Sequence, residues 1–382
     1  MQLSFHKADL LEAIQIVQSS ISNKTTLPIL SNFLLQTGSS SQKPGTVLRL
    51  EATDLEMGIR TTVKAEILKE GRITVPAKKF GELVREMPEG KEIELISNDG
   101  KRIELKCGKV KATLVSLPPE DFPLIPQFPE KQSFKIKKSI FQEMIKKTYF
   151  AVSTDETRYV LNGIFFIVQS GELKMVATDG RRLAFISKNS VEQTLNANVI
   201  IPSKATNELL RLLSHQSSDQ EEDAIHIAPY ENQVSFKWVK DGEEIVLVSR
   251  VIDGTFPNYD QVIPKNKEIE LKVKTSEIFS AIKRAALFAQ DRSGSVKLSL
   301  KKGVLKISAN AQNVGEEEEE LDIAYNGNDF DIAFNPAFLL DVLKNSDSPE
   351  IHFEFTSSLN PGLIRPEPGG SYLCVIMPMR LQ

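Results

Sequence analysis

One structural unit is written three times along this chain. From Phe5 to Ser22, the residues Leu10, Leu11, Ile14, Val17 and Ile21 fall on one stripe at helical spacing. The stripe returns from about Lys137, with Ile140, Phe141, Met144, Ile145 and Thr148, and again near Thr275, with Ile278, Phe279, Ile282, Ala286 and Ala289. Later in each unit a strand runs into a proline and a second helix. The three copies are Ile73-Thr74-Val75-Pro76-Ala77-Lys78-Lys79, Val199-Ile200-Ile201-Pro202-Ser203-Lys204-Ala205 and Ile332-Ala333-Phe334-Asn335-Pro336-Ala337-Phe338. Their prolines are 126 and 134 residues apart. Proline suits the first helical turn, where its missing N–H leaves no bond unmade. Self-similarity at such a period means a duplicated unit and constrains the fold more than any composition does.

The rest of each unit reads as strands, punctuated by turns at Asn162-Gly163, Ser170-Gly171, Asp241-Gly242 and Lys302-Gly303. Two helices per unit against antiparallel sheet make the fold class α+β. At 382 residues the chain exceeds what a single core supports, and the repeat divides it into three domains, 1–129, 130–263 and 264–382. The boundaries fall in segments rich in Pro, Lys or Asn, near Pro123–Pro129 and Val262–Lys267. No apolar run approaches the ~20 residues of a membrane-spanning helix. The opening Met1-Gln2-Leu3-Ser4-Phe5-His6 lacks the regions of a signal peptide, and Cys107 and Cys374, 267 positions apart, read as reduced thiols. A cytoplasmic protein is expected.

Net charge is −4, which on its face disfavours a nucleic-acid binder. Its distribution says otherwise. The windows 7–22, 77–87, 137–150, 203–214, 275–290 and 336–345 together carry +5, leaving −9 for everything else. Helix surfaces simply tolerate lysine, but repetition favours a second reading. Equivalent helices on one side of three similar domains would merge into a basic stripe suited to a phosphate backbone. Acid is concentrated at Glu221-Glu222-Asp223 and at Glu316 to Glu320, the latter read as a solvated edge.

Catalytic signatures are missing. There is no phosphate-binding glycine loop and no Gly-x-Ser-x-Gly elbow, and His6, His215, His226 and His352 are scattered. Ala52-Thr53-Asp54 and Ala177-Thr178-Asp179 recur 125 apart, so Asp54, Glu56 and Asp179 are conceivable metal carboxylates. The third repeat has Ser308-Ala309-Asn310, and an Asp beside Gly more often builds a turn. No metal and no cofactor are expected. In Thr178-Asp179-Gly180-Arg181-Arg182-Leu183, two arginines beside a Gly turn suit either a solvated loop or a docking surface. At the other end, Tyr372 to Arg380 is an apolar strand stopped by Pro378. It leaves Met377 and Met379 on a tail expected not to pair, an adaptable surface for partner peptides.

These residues carry a family resemblance. Leu27-Pro28-Ile29-Leu30, Thr53-Asp54-Leu55-Glu56-Met57, Val75-Pro76-Ala77-Lys78-Lys79-Phe80 and Pro118-Pro119-Glu120-Asp121-Phe122-Pro123 resemble the first domain of the bacterial sliding clamps, the β subunits of DNA polymerase III. Arg158-Tyr159-Val160-Leu161-Asn162-Gly163, Ala177 to Leu183, Phe256-Pro257-Asn258-Tyr259 and Val375-Ile376-Met377-Pro378-Met379-Arg380-Leu381 resemble its later signatures, in family order from Met1 to Leu381. The resemblance implies a non-catalytic processivity factor: a head-to-tail homodimer whose six domains close around double-stranded DNA of any sequence, helices inward. Topological linkage then supplies retention, so each phosphate contact can be weak.

Matched by position, the DNA-binding residues would be Lys24, Lys78, Arg158, Tyr159 and Lys204. The partner-peptide groove would comprise Leu161, Thr178, Gly180, Arg181, Arg182, Leu183, Pro257, Val262, Val375, Ile376, Met377, Pro378, Met379 and Arg380, and the dimer interface would include Leu114, Leu287 and Phe288. Implied partners are the DNA polymerase III alpha subunit, the clamp loader, and other polymerases and repair proteins bearing short peptides with Gln and Leu/Phe anchors. Lys24 and Lys78 stand where some relatives have arginine, Val160 replaces a second aromatic, and Arg181 stands where histidine is frequent. Residues 357–370 resemble an enlarged loop, and Gln382 extends past the usual terminal Leu. Two other readings stay open on sequence alone: a peptide-binding adaptor that never surrounds DNA, and a hydrolase or transferase using the Thr-Asp acids.

Overall fold

The computed structural model describes the chain except residues 23–25, 39–46, 190–195, 215–222, 231, 290–293, 312–314, 367, 369 and 381–382. Lys24, His215, Glu221, Glu222, Glu367, Gly369, Leu381 and Gln382 therefore lie outside the described residues. In the first third, β1 (Gln2–His6) runs into α1 (Lys7–Val17). There follow β2 (Asn32–Gly38), β3 (Val47–Thr53), β4 (Met57–Lys64), β5 (Glu66–Lys69), β6 (Arg72–Pro76), α2 (Ala77–Glu86), β7 (Glu92–Ile96), β8 (Arg102–Cys107) and β9 (Val110–Val115). The middle third comprises β10 (Phe134–Lys137), α3 (Lys138–Tyr149), β11 (Gly163–Gln169), β12 (Glu172–Thr178), β13 (Arg182–Asn189), β14 (Ala197–Pro202), α4 (Ser203–Ser214), β15 (Ala224–Tyr230), β16 (Gln233–Lys240) and β17 (Glu243–Arg250). The last comprises β18 (Ile269–Lys274), α5 (Thr275–Ala285), β19 (Val296–Lys301), β20 (Val304–Ala311), β21 (Gly315–Asp322), β22 (Phe330–Phe334), α6 (Pro336–Lys344), β23 (Glu350–Phe355), β24 (Gly362–Arg365) and β25 (Tyr372–Ile376).

Two compact units result, Met1–Ser139 with Arg211–Val251, and Ile140–Leu210 with Ile252–Gln382, so the middle repeat contributes to both. The first holds a five-stranded sheet, β5-β1-β7-β8-β9, and an eight-stranded one, β10-β15-β16-β17-β4-β3-β2-β6. The second holds an eight-stranded sheet, β14-β11-β12-β13-β25-β24-β23-β18, and a four-stranded one, β21-β20-β19-β22. Each eight-stranded sheet is seamed from two repeats. In one, β17 meets β4 with Leu247 opposite Ile59; in the other, β13 meets β25 with Leu183 opposite Val375. Pairing across each seam gives partners to backbone groups that two separate sheet edges would leave bare.

The helical stripes are buried where the sequence places them: Leu10, Ile14 and Val17 on α1, Phe141, Met144 and Ile145 on α3, Ile278 and Ile282 on α5. Each fully buried Leu, Ile or Phe contributes about 1.5–3 kcal/mol. Thr148 shares the stripe because its hydroxyl donates to the Met144 carbonyl at 2.8 Å. The stripes end sooner than expected. After Val17 and after Ala285 the chain tightens into single 3₁₀ turns, Gln18–Ser20 and Ala286–Phe288, so Ile21 and Ala289 lie beyond the helices. Such tightening is common at helix ends.

Several turn and proline expectations are corrected. Only Pro336 occupies a first helical position. Pro76 and Pro202 are the last residues of their strands, opposite Asn32 and Gly163. A strand end tolerates proline because its carbonyl still pairs and its φ is compatible with extended backbone. Ser170-Gly171 and Asp241-Gly242 are hairpin loops, with φ +52/+83° and +51/+83°. Asn162-Gly163 is not a hairpin: Gly163 opens β11, and a Cβ there would lie 2.3 Å from the Ile201 carbonyl oxygen. Within 357–370, residues Gly362–Arg365 form β24 between β23 and β25, so that segment contains a short strand.

Candidate partner-binding site

The segment linking β12 to β13 is a tight turn built by its own side chains. The Thr178 hydroxyl accepts from the Gly180 N–H at 3.1 Å and donates to the Arg182 carbonyl at 2.6 Å. Asp179 Oδ1 accepts from the N–H groups of Arg181 (2.8 Å) and Arg182 (3.0 Å). Gly180, at φ +84°, supplies the left-handed position. Asp54 does the same work in the first repeat, accepting from the N–H groups of Glu56 and Met57. The Thr-Asp acids are thus turn formers, and no cluster able to hold a metal occurs among the described residues. In the third repeat Ser308-Ala309-Asn310 simply continues β20.

Two arginines brace this turn. Arg158 donates from Nη1 to the Asp179 carbonyl at 3.1 Å, and a Cβ on Gly180 would lie 2.8 Å from that nitrogen. Arg182, with only 12% of its side chain exposed, donates from Nε to Asp179 (3.0 Å) and from Nη1 to Asp341 (2.5 Å). Its guanidinium also lies over the Phe338 ring, 4.5 Å from the centroid, and 5.5 Å from that of Phe150. Arg181 is exposed.

Beneath the turn lies an apolar cluster of Leu161, Val176, Leu183, Ile200, Phe256, Leu363, Leu373 and Val375. Phe165 stacks on Phe256 at 4.8 Å and Phe185 on Tyr259 at 5.8 Å. Val160 packs on this cluster, so its side chain serves the core. Pro257 and Val262 are exposed on the segment that carries Phe256 and Tyr259. The C-terminal strand closes one side, with Ile376 paired to Arg182. The tail beyond it is tethered rather than unpaired, a correction to the expectation for Met377-Pro378-Met379. Met377 N–H donates to the Arg181 carbonyl at 2.8 Å and Met379 N–H to the Ala333 carbonyl at 2.7 Å. Pro378 cannot donate, but both flanking residues can. Met377 is 43% exposed, and Arg380 is exposed beyond it.

The structure therefore brings Leu161, Thr178, Gly180, Arg181, Arg182, Leu183, Val375, Ile376 and Met377 into one neighbourhood. Sequence reasoning missed Phe150, Phe338 and Asp341. Asp341 was detectable as the one acid in the apolar run Phe338-Leu339-Leu340-Asp341-Val342-Leu343. Close by, burial raises the Cys374 thiol to about 12, so it is held as an inert thiol.

Of the other matched residues, Lys78 is exposed in the first turn of α2, and Lys204 is exposed in the first turn of α4. Tyr159 is 57% exposed, and Arg158 is held by Asp155 at 3.4 Å besides its bond to Asp179. Leu114 lies on β9, an open edge of the five-stranded sheet; Leu287 and Phe288 lie on the turn after α5. Across the four-stranded sheet, β21 is an open edge carrying Glu316 to Glu320. Arg284 meets Glu319 with two hydrogen bonds, at 2.6 and 2.8 Å. Glu317 has a buried carboxylate oxygen without a partner among the described residues, and burial and the neighbouring Glu319 push its carboxyl upward. No helix among the described residues is long and apolar enough to cross a membrane.

Comparison with known proteins agrees along the whole chain. Family models for the N-terminal, central and C-terminal domains of the DNA polymerase III beta subunit match residues 1–126, 135–258 and 260–380. The chain is 33% identical over 387 residues to the beta sliding clamp of Chlamydia muridarum, covering 100% of this chain and 99% of that one. It is 32% identical over 382 residues to that of Escherichia coli, with complete coverage of both. The crystal structure of the DNA polymerase III subunit beta from Pseudomonas aeruginosa superposes with a TM-score of 0.90 at 31% identity, over 100% of each chain. Three clamp domains of α+β architecture place this chain in the beta subunit family of DNA polymerase III, the beta sliding clamps, as a non-catalytic accessory subunit of the polymerase.

Proposed function

We propose that two copies of this chain close head to tail into a ring around duplex DNA and tether the replicative polymerase to it. The carrying observation is a pair of open sheet edges of opposite character. The β9 edge presents Lys111 with Val110 and Val115 exposed, and Lys109 lies in the turn before it, whereas β21 presents five consecutive glutamates beside exposed Leu287. Two different, complementary edges on one chain suit a heterologous contact, which closes into a ring when its rotation permits. Leu114, Leu287 and Phe288 would form its apolar part, and a partner's lysine would satisfy Glu317. The repeats 1–129, 130–263 and 264–382 would give six domains, with Lys24, Lys78, Arg158, Tyr159 and Lys204 facing the phosphates. Binding would be independent of base sequence.

The neighbourhood of Leu161, Thr178, Gly180 to Leu183, Pro257, Val262 and Val375 to Arg380 would then hold short peptides of the polymerase III alpha subunit, the clamp loader, and other polymerases and repair proteins. An apolar floor with a few fixed polar groups and an exposed methionine suits such ligands. Both thiols, Cys107 and Cys374, are free and buried, in keeping with a reducing cytoplasm. The test is retention on DNA. Once loaded onto a nicked circle, the protein should remain at moderate salt and leave after the circle is cut. Equal loss from circle and linear DNA would refute enclosure.

A further inference from the structure

One cross-strand row runs the full width of the first eight-stranded sheet. Thr74, Leu34, Glu51 and Arg60 lie opposite one another on β6, β2, β3 and β4. Val246, Lys237, His226 and Lys135 continue the row on β17, β16, β15 and β10. The segment after β9 follows that row in order. Thr74 holds both backbone groups of Leu117, donating to its carbonyl at 2.7 Å and accepting from its N–H at 3.0 Å. Phe122 packs in one cluster with Leu34. Arg60, its Nε bound to Glu51 at 2.6 Å, donates from Nη2 to the Ile125 carbonyl at 2.8 Å. Past the seam, Ile125 and Phe128 cluster with Val246, and Glu130 pairs with Lys237. Residues 117–130 thus form a strap from the first repeat to the second.

We propose that this strap is a pH-sensitive latch, anchored at Thr74 and Arg60 and released by acid at its far end, where Phe128 and Glu130 close over His226. The His226 and Phe128 rings meet edge to face, centroids 6.5 Å apart, and the Lys237 ammonium lies 4.9 Å from the Phe128 centroid. The charged groups facing His226 are Lys237 on β16, Lys135 on β10 with Lys137 two residues along the same face, and Glu130 on the strap. Glu130 is already bound to Lys237. A proton on the imidazole would therefore set a third cation in line between Lys135 and Lys237, and like charges directly opposite on neighbouring strands destabilise a sheet. Burial and then Lys237 and Lys135 pull the imidazole below its ordinary value, and Glu130 offsets only part of this. A lowered folded value gives stability that is complete above the unfolded value near ~6.5 and is lost as pH falls toward the folded one. Lifting the end of the strap frees the ring to take its proton, so acid favours the lifted form. The anchored end contains no histidine. Nor does the covering segment of the second seam, which is held by rings alone, Phe256 on Phe165 and Tyr259 on Phe185.

The experiment titrates the full chain by NMR with carbon-13 at histidine Cε1, and His226→Gln identifies the His226 signal. Its midpoint should lie below ~6.5, and Phe128→Ala, which uncovers the ring, should bring it back toward that value. Amide hydrogen exchange, divided by the intrinsic rate at each pH, then reads the strap itself. Opening at residues 127–132 should rise up to about tenfold between about pH 7.5 and about pH 5.5 in wild type and stay level in His226→Gln. Residues 117–122 and 252–263 should show no such rise. If melting temperature shows that His226→Gln fails to fold, replacing His6, His215 and His352 assigns the signal by elimination. The contrast between 127–132 and 117–122 then carries the exchange test. A midpoint at or above ~6.5 would overturn the proposal. So would level exchange at 127–132 in wild type, a rise shared by 117–122, or an undiminished rise in His226→Gln.

Discussion

The turns at Thr53–Met57 and Thr178–Arg182 have one backbone and two chemistries. In the first, the Thr53 hydroxyl accepts from Leu55 N–H (3.1 Å) and donates to the Met57 carbonyl (3.0 Å), while Asp54 Oδ1 accepts from Glu56 and Met57. Every bond has its counterpart in the second. Even the left-handed residue is shared, Leu55 at φ +77° against Gly180 at +84°. The side chains then part ways. Leu55 stands for Gly180, a buried Met57 for Arg182, and Gly58 for Leu183. Ile125 lies against Gly58, 3.1 Å from where a Cβ would be, and Arg60 ties that covering segment down through the Ile125 carbonyl at 2.8 Å. So the first turn is filled by its own chain, whereas the second keeps a glycine, an exposed arginine and an exposed methionine tail. Duplication repeats the frame, and docking chemistry is added to one copy.

The most damaging exchange across this comparison is Met57→Arg. It copies Arg182 into a buried position that lacks an Asp341 equivalent, and an uncompensated buried charge costs about 3–5 kcal/mol. Urea unfolding reads it, and a loss under about 1 kcal/mol would show that the first turn can house the arginine. Next comes Gly180→Leu, which gives the second turn the first turn's residue. The added side chain would displace the Arg158 guanidinium, whose Nη1 lies 2.8 Å from the Cβ position, and cover the exposed face of the turn, so peptide affinity should fall about tenfold, near 1.4 kcal/mol, with the dimer intact. Wild-type affinity would mean the glycine is needed for backbone geometry alone.

The reverse exchange, Leu55→Gly, is smaller and of opposite sign. Relieving a β-carbon at positive φ should raise stability by about 1 kcal/mol without creating peptide binding. A destabilised variant would show that the Leu55 side chain has contacts worth more than the strain. The smallest effect concerns equivalent glutamates on the first helix of the first two repeats. Glu12 pairs with Lys240, and Glu143 with Lys147 and Lys188. Burial alone would raise the Glu143 carboxyl, but the bond to Lys147 and both lysine charges outweigh it, and it is lowered. A lowered folded value stabilises above the unfolded value near ~4.3 and is lost as pH falls through the folded one. The stability gap between wild type and Glu143→Gln should therefore be present at neutral pH and close in acid. A gap of equal size at pH 3 would contradict the ion pairing.

What the sequence made legible was local. Helical stripes, strand-proline-helix junctions and the Thr-Asp turns each depend on neighbours within a few residues, and each lies within a residue or a turn of where the pattern puts it. What it hid were long-range choices. Nothing in the β17 run says that Leu247 will lie opposite Ile59, nor that Arg182 will find Asp341, 159 positions away. The proline positions slipped by one residue because a strand end and a helix start both accept its φ. The tail was misjudged because one residue without a donor says nothing about the donors on either side, Met377 and Met379. Legible motifs likewise suggested metal carboxylates at Asp54 and Asp179, whose oxygens are occupied by the turn itself.

Titration calorimetry of the full-length protein with a Gln and Leu/Phe peptide counts the sites directly. One peptide per chain, lost on removal of Met377–Gln382, is expected if only the turn at Thr178–Arg182 docks partners. Two peptides per chain, or one that survives without the tail, would show that the first turn binds as well or instead.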